Sequence, residues 1–506
     1  MKLKSLIKPK WSNVGFWLGI TGSAYVFLFL DLEPGKPEIT ATLSIALLMA
    51  IWWISEAIPI GITALIPVVL FPFFGVMSGK SISSAYFNHV IFLFIGGFLM
   101  ALAMEKHNLH KRIALKILIG TGSGFGKILL GFMLSTAFLS MWMSNTATAM
   151  MMVPVAMSII TRFSESMNKS DNQKYAYGLL FGIAYSASIG GIATLIGTPP
   201  NLSLVRIFNI IFPNAPEISF SQWFMFALPI STVMLFFAWL ILFIKYKPPG
   251  SQLKSKELFK SEYKKLGIPS FEEKVVLITF IFLAILWIFR SDIQINKFVI
   301  PGWSKMFNNP KFLNDGTVAI GVALLLFMIP SKSKKGEHIL EGKIIMRLPW
   351  HIVLLFGGGF ALAQGFAESG LALWLGQRMT IVASLHPFII ILLIALFMSF
   401  LTELTSNTAT TEMLLPVLAG IAVSVKINPL MFMIPATLAA SLAFMLPVAT
   451  PPNAIVFGTN RLKIAEMMKT GFLLNISGVI IIALLMYFWG QTVFGIDVNV
   501  FPDWAK

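Results

Sequence analysis

Apolar stretches, each near the length needed to cross a bilayer and separated by short lysine-rich segments, constrain this chain more than any other feature. In hydrocarbon every backbone N–H and C=O must be paired within the protein, so runs of this length fold as membrane-spanning helices. Composition agrees: 57% of the 506 residues are hydrophobic and 12% are charged, against about 25% charged in a soluble domain. The chain therefore reads as an all-α polytopic membrane protein. Cysteine is absent, which excludes disulfides, thiolate metal sites, iron–sulfur clusters and cysteine nucleophiles. The formal charge of +16 comes from lysines placed between apolar runs; that is the pattern of cytoplasmic loops and gives no reason to expect nucleic acid as a partner.

The first ten residues hold four lysines and precede an apolar run at 14–30. No small-residue cleavage site follows, and the next residues are Asp31, Leu32, Glu33 and Pro34. This predicts an uncleaved first helix with its N-terminus in the cytoplasm. Further runs lie at 40–54, 60–76, 90–104, 175–204, 223–244, 275–289, 317–329, 351–366, 429–458 and 472–489. The basic segments at 105–112, 161–174, 245–274, 331–347 and 461–469 alternate with them. Counting gives about 11 transmembrane helices, with the C-terminus outside a cell (plasma) membrane.

Two runs, 128–160 and 388–425, are too long for one span and carry a polar cluster at the middle. Loop parity does not separate a re-entrant hairpin from a tight pair of spans, but the polar tips favour two re-entrant helical hairpins. The chain also resembles itself. Phe94-Ile95-Gly96-Gly97-Phe98 matches Phe356-Gly357-Gly358-Gly359-Phe360, and Ser144-Asn145-Thr146-Ala147-Thr148 matches Ser406-Asn407-Thr408-Ala409-Thr410, both at an offset of 262. Thr198-Pro199-Pro200-Asn201 matches Thr450-Pro451-Pro452-Asn453 at 252. The predicted topology opens the two hairpins to opposite sides, so the repeats are read as inverted. Inverted-topology repeats with interrupted helices near the midplane are the signature of secondary transporters.

Each Ser-Asn-Thr tip frees backbone groups at membrane depth, and each Pro-Pro pair breaks a second helix. The four breaks offer carbonyls and hydroxyls to a desolvated cation and helix N-termini to an anion. No Lys or Arg lies in these motifs, so an anion there would be balanced by amide and hydroxyl donors, helix ends and co-bound cations, sodium above all. Paired tips suit a small molecule with two carboxylates, with Thr198, Pro199, Thr450 and Pro451 completing the lining. Ser, Thr and Asn also glue helices together in membranes, but duplication of both motifs in step argues against that reading.

Glu56, Glu403 and Glu412 lie in or beside apolar runs and are candidates for an ion or proton role. His107 and His110 sit in a basic loop without a carboxylate partner and read as solvated. Gly122-Ser123-Gly124-Phe125-Gly126 lacks a following Lys-Ser/Thr, so it reads as a hinge before the hairpin and not as a nucleotide site.

With Trp52-Trp53-Ile54-Ser55-Glu56-Ala57-Ile58-Pro59 added to the paired motifs, the chain resembles the divalent anion/sodium symporter family, which includes sodium-dicarboxylate cotransporters. Ser55 stands where the family more often has Thr. The resemblance implies a homodimer of elevator type. Scaffold helices would occupy 1–88 and 223–350, transport-domain repeats 89–222 and 351–470, and the last helix with an outer C-terminus 471–506. By motif, Ser144, Asn145, Thr146, Ser406, Asn407 and Thr408 would contact substrate carboxylates. Sodium would be held by Ser140, Ser144, Asn145 and the backbone near Gly197, and by Thr402, Ser406, Asn407 and the backbone near Ala449.

The function expected is transport of C4–C5 dicarboxylates (succinate, malate, fumarate, 2-oxoglutarate) with sodium as coupling ion and no other cofactor. Sodium-independent exchange on the same fold is the nearest alternative, and sulfate and citrate also remain open as substrates. An intramembrane enzyme would need a nucleophile–base or metal constellation; the chain has no His-Glu-x-x-His and no histidine near either tip. A channel would be told from a carrier by the absence of saturable counterflow.

Overall fold

The computed structural model describes residues 4–164, 168–248, 256–295, 298–378, 385–498 and 500–506. The start of the lysine-rich N-terminus, part of the 161–174 linker and residues 249–255 of the 245–274 loop lie outside them.

Among the described residues the fold is helical, apart from a short antiparallel ribbon in which Ile293–Ile295 pairs with Phe298–Ile300 and an isolated bridge between Pro330 and His338. Among the described residues, seven helices are long and apolar enough to cross a membrane, and five apolar helices are shorter. The shorter ones are Ile60–Phe73, Phe125–Ser140, Asp315–Met328, Pro387–Leu401 and Leu430–Ala439. Two of them, Phe125–Ser140 and Pro387–Leu401, are the entering arms of the hairpins, and Leu430–Ala439 is the first half of a broken helix. Helix starts follow their polar caps. Asn88, Asn168, Ser219, Ser270 and Asn314 each accept a hydrogen bond from a backbone N–H in the first turn of the helix they precede.

Both hairpins form. Phe125–Ser140 turns into Asn145–Ser164, and Pro387–Leu401 turns into Asn407–Ser424. The returning arms carry Pro154 and Pro416 at matching positions. Gly122 and Gly124 have φ of +94° and +95°, a left-handed backbone that glycine adopts without penalty, so the expected hinge precedes the first hairpin. The long run 175–204 is Lys169–Ile192 followed by Pro199–Ile211, and 429–458 is Leu430–Ala439 followed by Pro451–Phe457.

Four amphipathic helices escaped a reading based on apolar runs: Gly79–Tyr86, Leu109–Thr121, Lys256–Lys265 and Leu371–Arg378. Leu109–Thr121 packs on the first hairpin and Leu371–Arg378 on the second. The expectation that His107 and His110 are solvated is corrected here. His110 is buried with Nδ1 2.9 Å from the Met104 carbonyl, and His107 Nε2 lies 3.0 Å from the Ile339 carbonyl. Helix Leu109–Thr121 turns its first residues inward, which a count of charges in the segment does not reveal.

The helices pack in two clusters that meet at Trp350–Ser369, which also lies against Pro199–Ile211 and Asn407–Ser424. Pro37–Ser55, Ile60–Thr63, Ile66–Phe73 and Gly79–Tyr86 surround Trp350–Ser369, while His89–Lys106 lies along Asp315–Met328. The other group joins the hairpins and broken helices with Phe220–Tyr246 and Ile464–Leu485. Polar staples bind segments at the helix ends. Glu272 accepts from Lys332 N at 2.8 Å and Ser333 N at 2.9 Å, and Arg112 pairs with Glu273. Elsewhere the buried Arg290 meets Asp315 at 2.5 Å and Glu217 at 2.6 Å, and Asp315 also accepts from Phe220 N at 3.0 Å. The buried guanidinium is thus fully paired, which is what makes its burial tolerable.

Candidate functional site

The four motifs of the sequence become four helix N-termini: Asn145, Pro199, Asn407 and Pro451 begin their helices. Each repeat reaches into the other. Asn145–Ser164 packs against Pro451–Phe457, and Asn407–Ser424 packs against Pro199–Ile211. A helix start leaves backbone N–H groups without intrahelical acceptors and carries the positive end of the dipole. Thr198 and Thr450 are buried caps with nearly the same extended backbone, φ −144° and −137°.

The breaks are held in the same way in both repeats. Asn201 Nδ2 donates to the Thr194 carbonyl at 2.7 Å and to that of Gly191 at 3.4 Å. Asn453 Nδ2 donates to the Leu446 carbonyl at 3.0 Å and to that of Ala443 at 2.9 Å. These acceptors correspond at the offset of 252, so the Asn of each Thr-Pro-Pro-Asn motif ties down its own unwound backbone. The first break is tied further by Thr194, which donates to the Met141 carbonyl of the hairpin tip at 2.5 Å, and by Trp223, which donates to the Ile192 carbonyl at 3.1 Å.

Oxygen atoms gather beside each tip. The Asn145 amide atom facing the first break lies 2.6 Å from Ser140 Oγ, 3.1 Å from the Ala187 carbonyl and 3.3 Å from the Gly197 carbonyl. With NH₂ inward the amide donates to these oxygens and is satisfied. A cation would need the amide turned so that Oδ1 joins Ser140 Oγ and the Gly197 carbonyl; a hydroxyl, an amide oxygen and a backbone carbonyl are donor types that a desolvated alkali cation takes. Gly191 forms the wall, since a Cβ there would stand 2.7 Å from Asn145 Oδ1 and 3.0 Å from the Gly197 carbonyl. In the second repeat the Thr402 hydroxyl lies 2.6 Å from Asn407 Oδ1 and 2.9 Å from the Ala440 carbonyl. Here three oxygens share one hydroxyl proton. The residues present thus fit sodium in both places.

Most of the expected residues take part in this arrangement. Ser140, Asn145 and Gly197 meet in the first pocket and Thr402 with Asn407 in the second. Ser144, Thr146 and Ser406 are half-buried at the tips, and Thr408 is buried. Ser144 Oγ accepts from Ala147 N at 3.2 Å and so caps its helix. Pro199 is half-buried, whereas Pro451 is exposed. The carbonyl bonded to Thr402 is that of Ala440, which at the offset of 252 lies next to the counterpart of Ala187, while the expected Ala449 is the counterpart of Gly197. Ala187, Gly191 and Ala440 are pocket residues that the motifs did not announce.

The three acidic candidates separate by environment. Glu56 is exposed and ends its helix with φ +46°. Glu412 is buried, bonded to Ser203 Oγ, with its second oxygen against Gly359. Glu403 is buried and accepts from the backbone N–H groups of Phe444, Met445 and Leu446 at 2.7, 2.8 and 3.0 Å. It also accepts from Asn475 Nδ2 at 2.8 Å.

Residues 26–496 match the family model described as the sodium:sulfate symporter transmembrane region. The chain belongs to that family. Its members are transporters by description, in agreement with the non-enzymatic membrane protein expected from sequence. The chain is 44% identical over 504 residues to the sodium-dependent dicarboxylate transporter SdcS of Staphylococcus saprophyticus, covering 96% of this chain and 94% of that protein. It is 43% identical over 498 residues to SdcS of Staphylococcus aureus, covering 96% and 92%. Among solved structures, the Alcanivorax borkumensis YdaH transporter aligns with a TM-score of 0.53 at 13% identity, covering 96% of this chain and 100% of that one. Neisseria gonorrhoeae MtrF aligns with a TM-score of 0.55 at 13% identity, covering 93% and 97%. These two likenesses concern the fold.

Proposed function

We propose that this member of the symporter family carries C4–C5 dicarboxylates, of the size of succinate, malate, fumarate and 2-oxoglutarate, across the cell membrane together with sodium. The observation that carries the reading is the pair of oxygen-rich pockets, each placed beside a helix N-terminus of a Ser-Asn-Thr tip. A cation in each pocket would supply the positive charge that the motifs lack. Beside them Ser144, Asn145, Thr146, Ser406, Asn407 and Thr408, with Thr198, Pro199, Thr450 and Pro451, would offer hydroxyl, amide and helix-end N–H donors to two carboxylates. The names borne by the staphylococcal relatives support sodium and dicarboxylate as cargo.

Movement would follow the packing, whose division departs from the one expected from sequence. The group containing both hairpins and broken helices, with Phe220–Tyr246, would be the transport unit, while His89–Lys106 and Trp350–Ser369, expected in the repeats 89–222 and 351–470, would join the scaffold of a homodimer. Their boundary is lined by small residues: Gly97 faces Ile196 at the first break, and Gly359 faces Glu412 on the second hairpin. An elevator displacement would slide one group along the other, and the two repeats would present their tips to opposite sides of the membrane.

The family description favours one rival cargo, sulfate. Melting of the purified protein separates the two. A ligand held only by the folded state at about 100 times its Kd stabilises by about 2.7 kcal/mol. Succinate should raise the melting temperature by several degrees in sodium and leave it unchanged in choline, while sulfate does nothing. Stabilisation by sulfate and none by succinate would transfer the site to inorganic anions.

A further inference from the structure

The two pockets are built on a repeat, yet the second hairpin carries two acids that the first lacks; one, Glu412, stands where the first has Met150 and is bonded to Ser203 Oγ, and the other adjoins the pocket itself. Glu403 follows Thr402, and the residue at the matching position of the first repeat is Met141. The difference goes with a difference in backbone. The first broken helix runs to Ile192 and resumes at Pro199, whereas the second stops at Ala439 and resumes only at Pro451. Where the first has Gly191 and Gly197 the second has Ala443 and Ala449, so the tight crossing of the first break is not available to it. The longer break frees the N–H groups of Phe444, Met445 and Leu446, and at membrane depth each needs an acceptor. Glu403 supplies it with both carboxylate oxygens, and Asn475 gives a fourth donor. Among the described residues, four donors and no basic side chain bond to the group, so its charge is solvated by dipoles and not cancelled by a counter-ion.

That charge is close to the second pocket. Consecutive Cα atoms are 3.80 Å apart, so covalent geometry alone keeps the Glu403 carboxylate within about 11 Å of the Thr402 hydroxyl. Across that span a unit charge in a medium of effective dielectric near 20 shifts cation affinity by roughly tenfold.

We propose that Glu403 makes the two pockets unequal. It is a positioning residue that holds the unwound segment whose Ala440 carbonyl faces Thr402, and it places a fixed negative charge behind the second pocket alone. The second pocket therefore takes sodium about tenfold more tightly than the first and fills first. The inference rests on the cation pockets of the proposed function.

The test is sodium titration of the full-length protein in lipid nanodiscs without substrate, followed by calorimetry. Ser140→Ala leaves the second pocket intact, and Thr402→Ala leaves the first. Ser140→Ala should bind sodium about tenfold more tightly than Thr402→Ala. Equal affinities, or the reverse order, would overturn the proposal. Absence of sodium binding in the unsubstituted protein would instead remove the cation pockets themselves. On the Ser140→Ala background, Glu403→Gln keeps the shape and loses the charge, while Glu403→Asp keeps the charge and shortens the reach. Glu403→Gln should lose about tenfold in affinity, with Glu403→Asp staying within about threefold of the parent. Affinity retained by Glu403→Gln, or Glu403→Asp the weaker of the two, would reduce Glu403 to a structural tie. Should Glu403→Gln fail to fold, equal or reversed affinities of the two pockets would still overturn the proposal, because Glu403 is present in both of those proteins.

Discussion

Replacing Asn145 or Asn407 with alanine is expected to lower transport more than about tenfold, the loss that follows when one strong, charge-assisted contact worth about 1.5–3 kcal/mol is removed. Each amide belongs to a pocket, paired at 2.6 Å with Ser140 or Thr402, and each begins a helix at a tip where substrate would dock. Neither residue caps its helix; Ser144 and Ser406 precede them. The fold should therefore survive, with a melting temperature close to that of the unsubstituted protein. Uptake by reconstituted protein together with a melting curve checks both halves. Near-normal uptake in both variants would remove the tips from the mechanism.

Gly191→Ala is expected to separate function from stability even more sharply. Gly191 lies within the helix Lys169–Ile192, where alanine is favoured over glycine by about 1 kcal/mol. On propensity alone the variant should be as stable as its parent or more so. Its Cβ, however, would stand 2.7 Å from Asn145 Oδ1 and 3.0 Å from the Gly197 carbonyl, inside the first pocket. Carbon at that distance displaces either the amide or the cation. Transport should fall more than about tenfold, the cost of 1.4 kcal/mol or more of lost cation binding. The corresponding residue of the second repeat is already Ala443. Wild-type sodium dependence in Gly191→Ala would show that the cluster around Asn145 is a hydrogen-bonded crossing and nothing else.

The parts of this fold that lipid dictates are the parts that were legible. Apolar runs, hairpin tips and double prolines have to appear in the sequence, because a bilayer tolerates free backbone groups only where the protein provides for them. The hairpins around Ser144 and Ser406 and the breaks before Pro199 and Pro451 accordingly stand where they were expected. What escaped depends on surfaces between helices. Leu109–Thr121 and Leu371–Arg378 are amphipathic and pack on the hairpins, so no long apolar run marks them. His110 was misplaced for the same reason. The carbonyls of Ala187 and Ala440, near counterparts at the offset of 252, also face the tips, and no motif marked that side of either pocket. Glu403 was visible as an acid in an apolar run, yet only the folded chain brings three N–H groups and Asn475 onto it. The paired Asn201 and Asn453 did carry a signal: a duplicated amide directly after two prolines reads as a clamp on the break that precedes it.

Uptake of labelled succinate into proteoliposomes tests the central claim most directly. One set of vesicles is given an inward sodium gradient over an empty interior; the other holds unlabelled succinate inside, with no sodium on either side. Sodium-coupled carriage predicts accumulation in the first set and little in the second. Uptake confined to the second set would contradict coupling, make the protein an exchanger, and leave the oxygen clusters at Ser140 and Thr402 without the cation assigned to them.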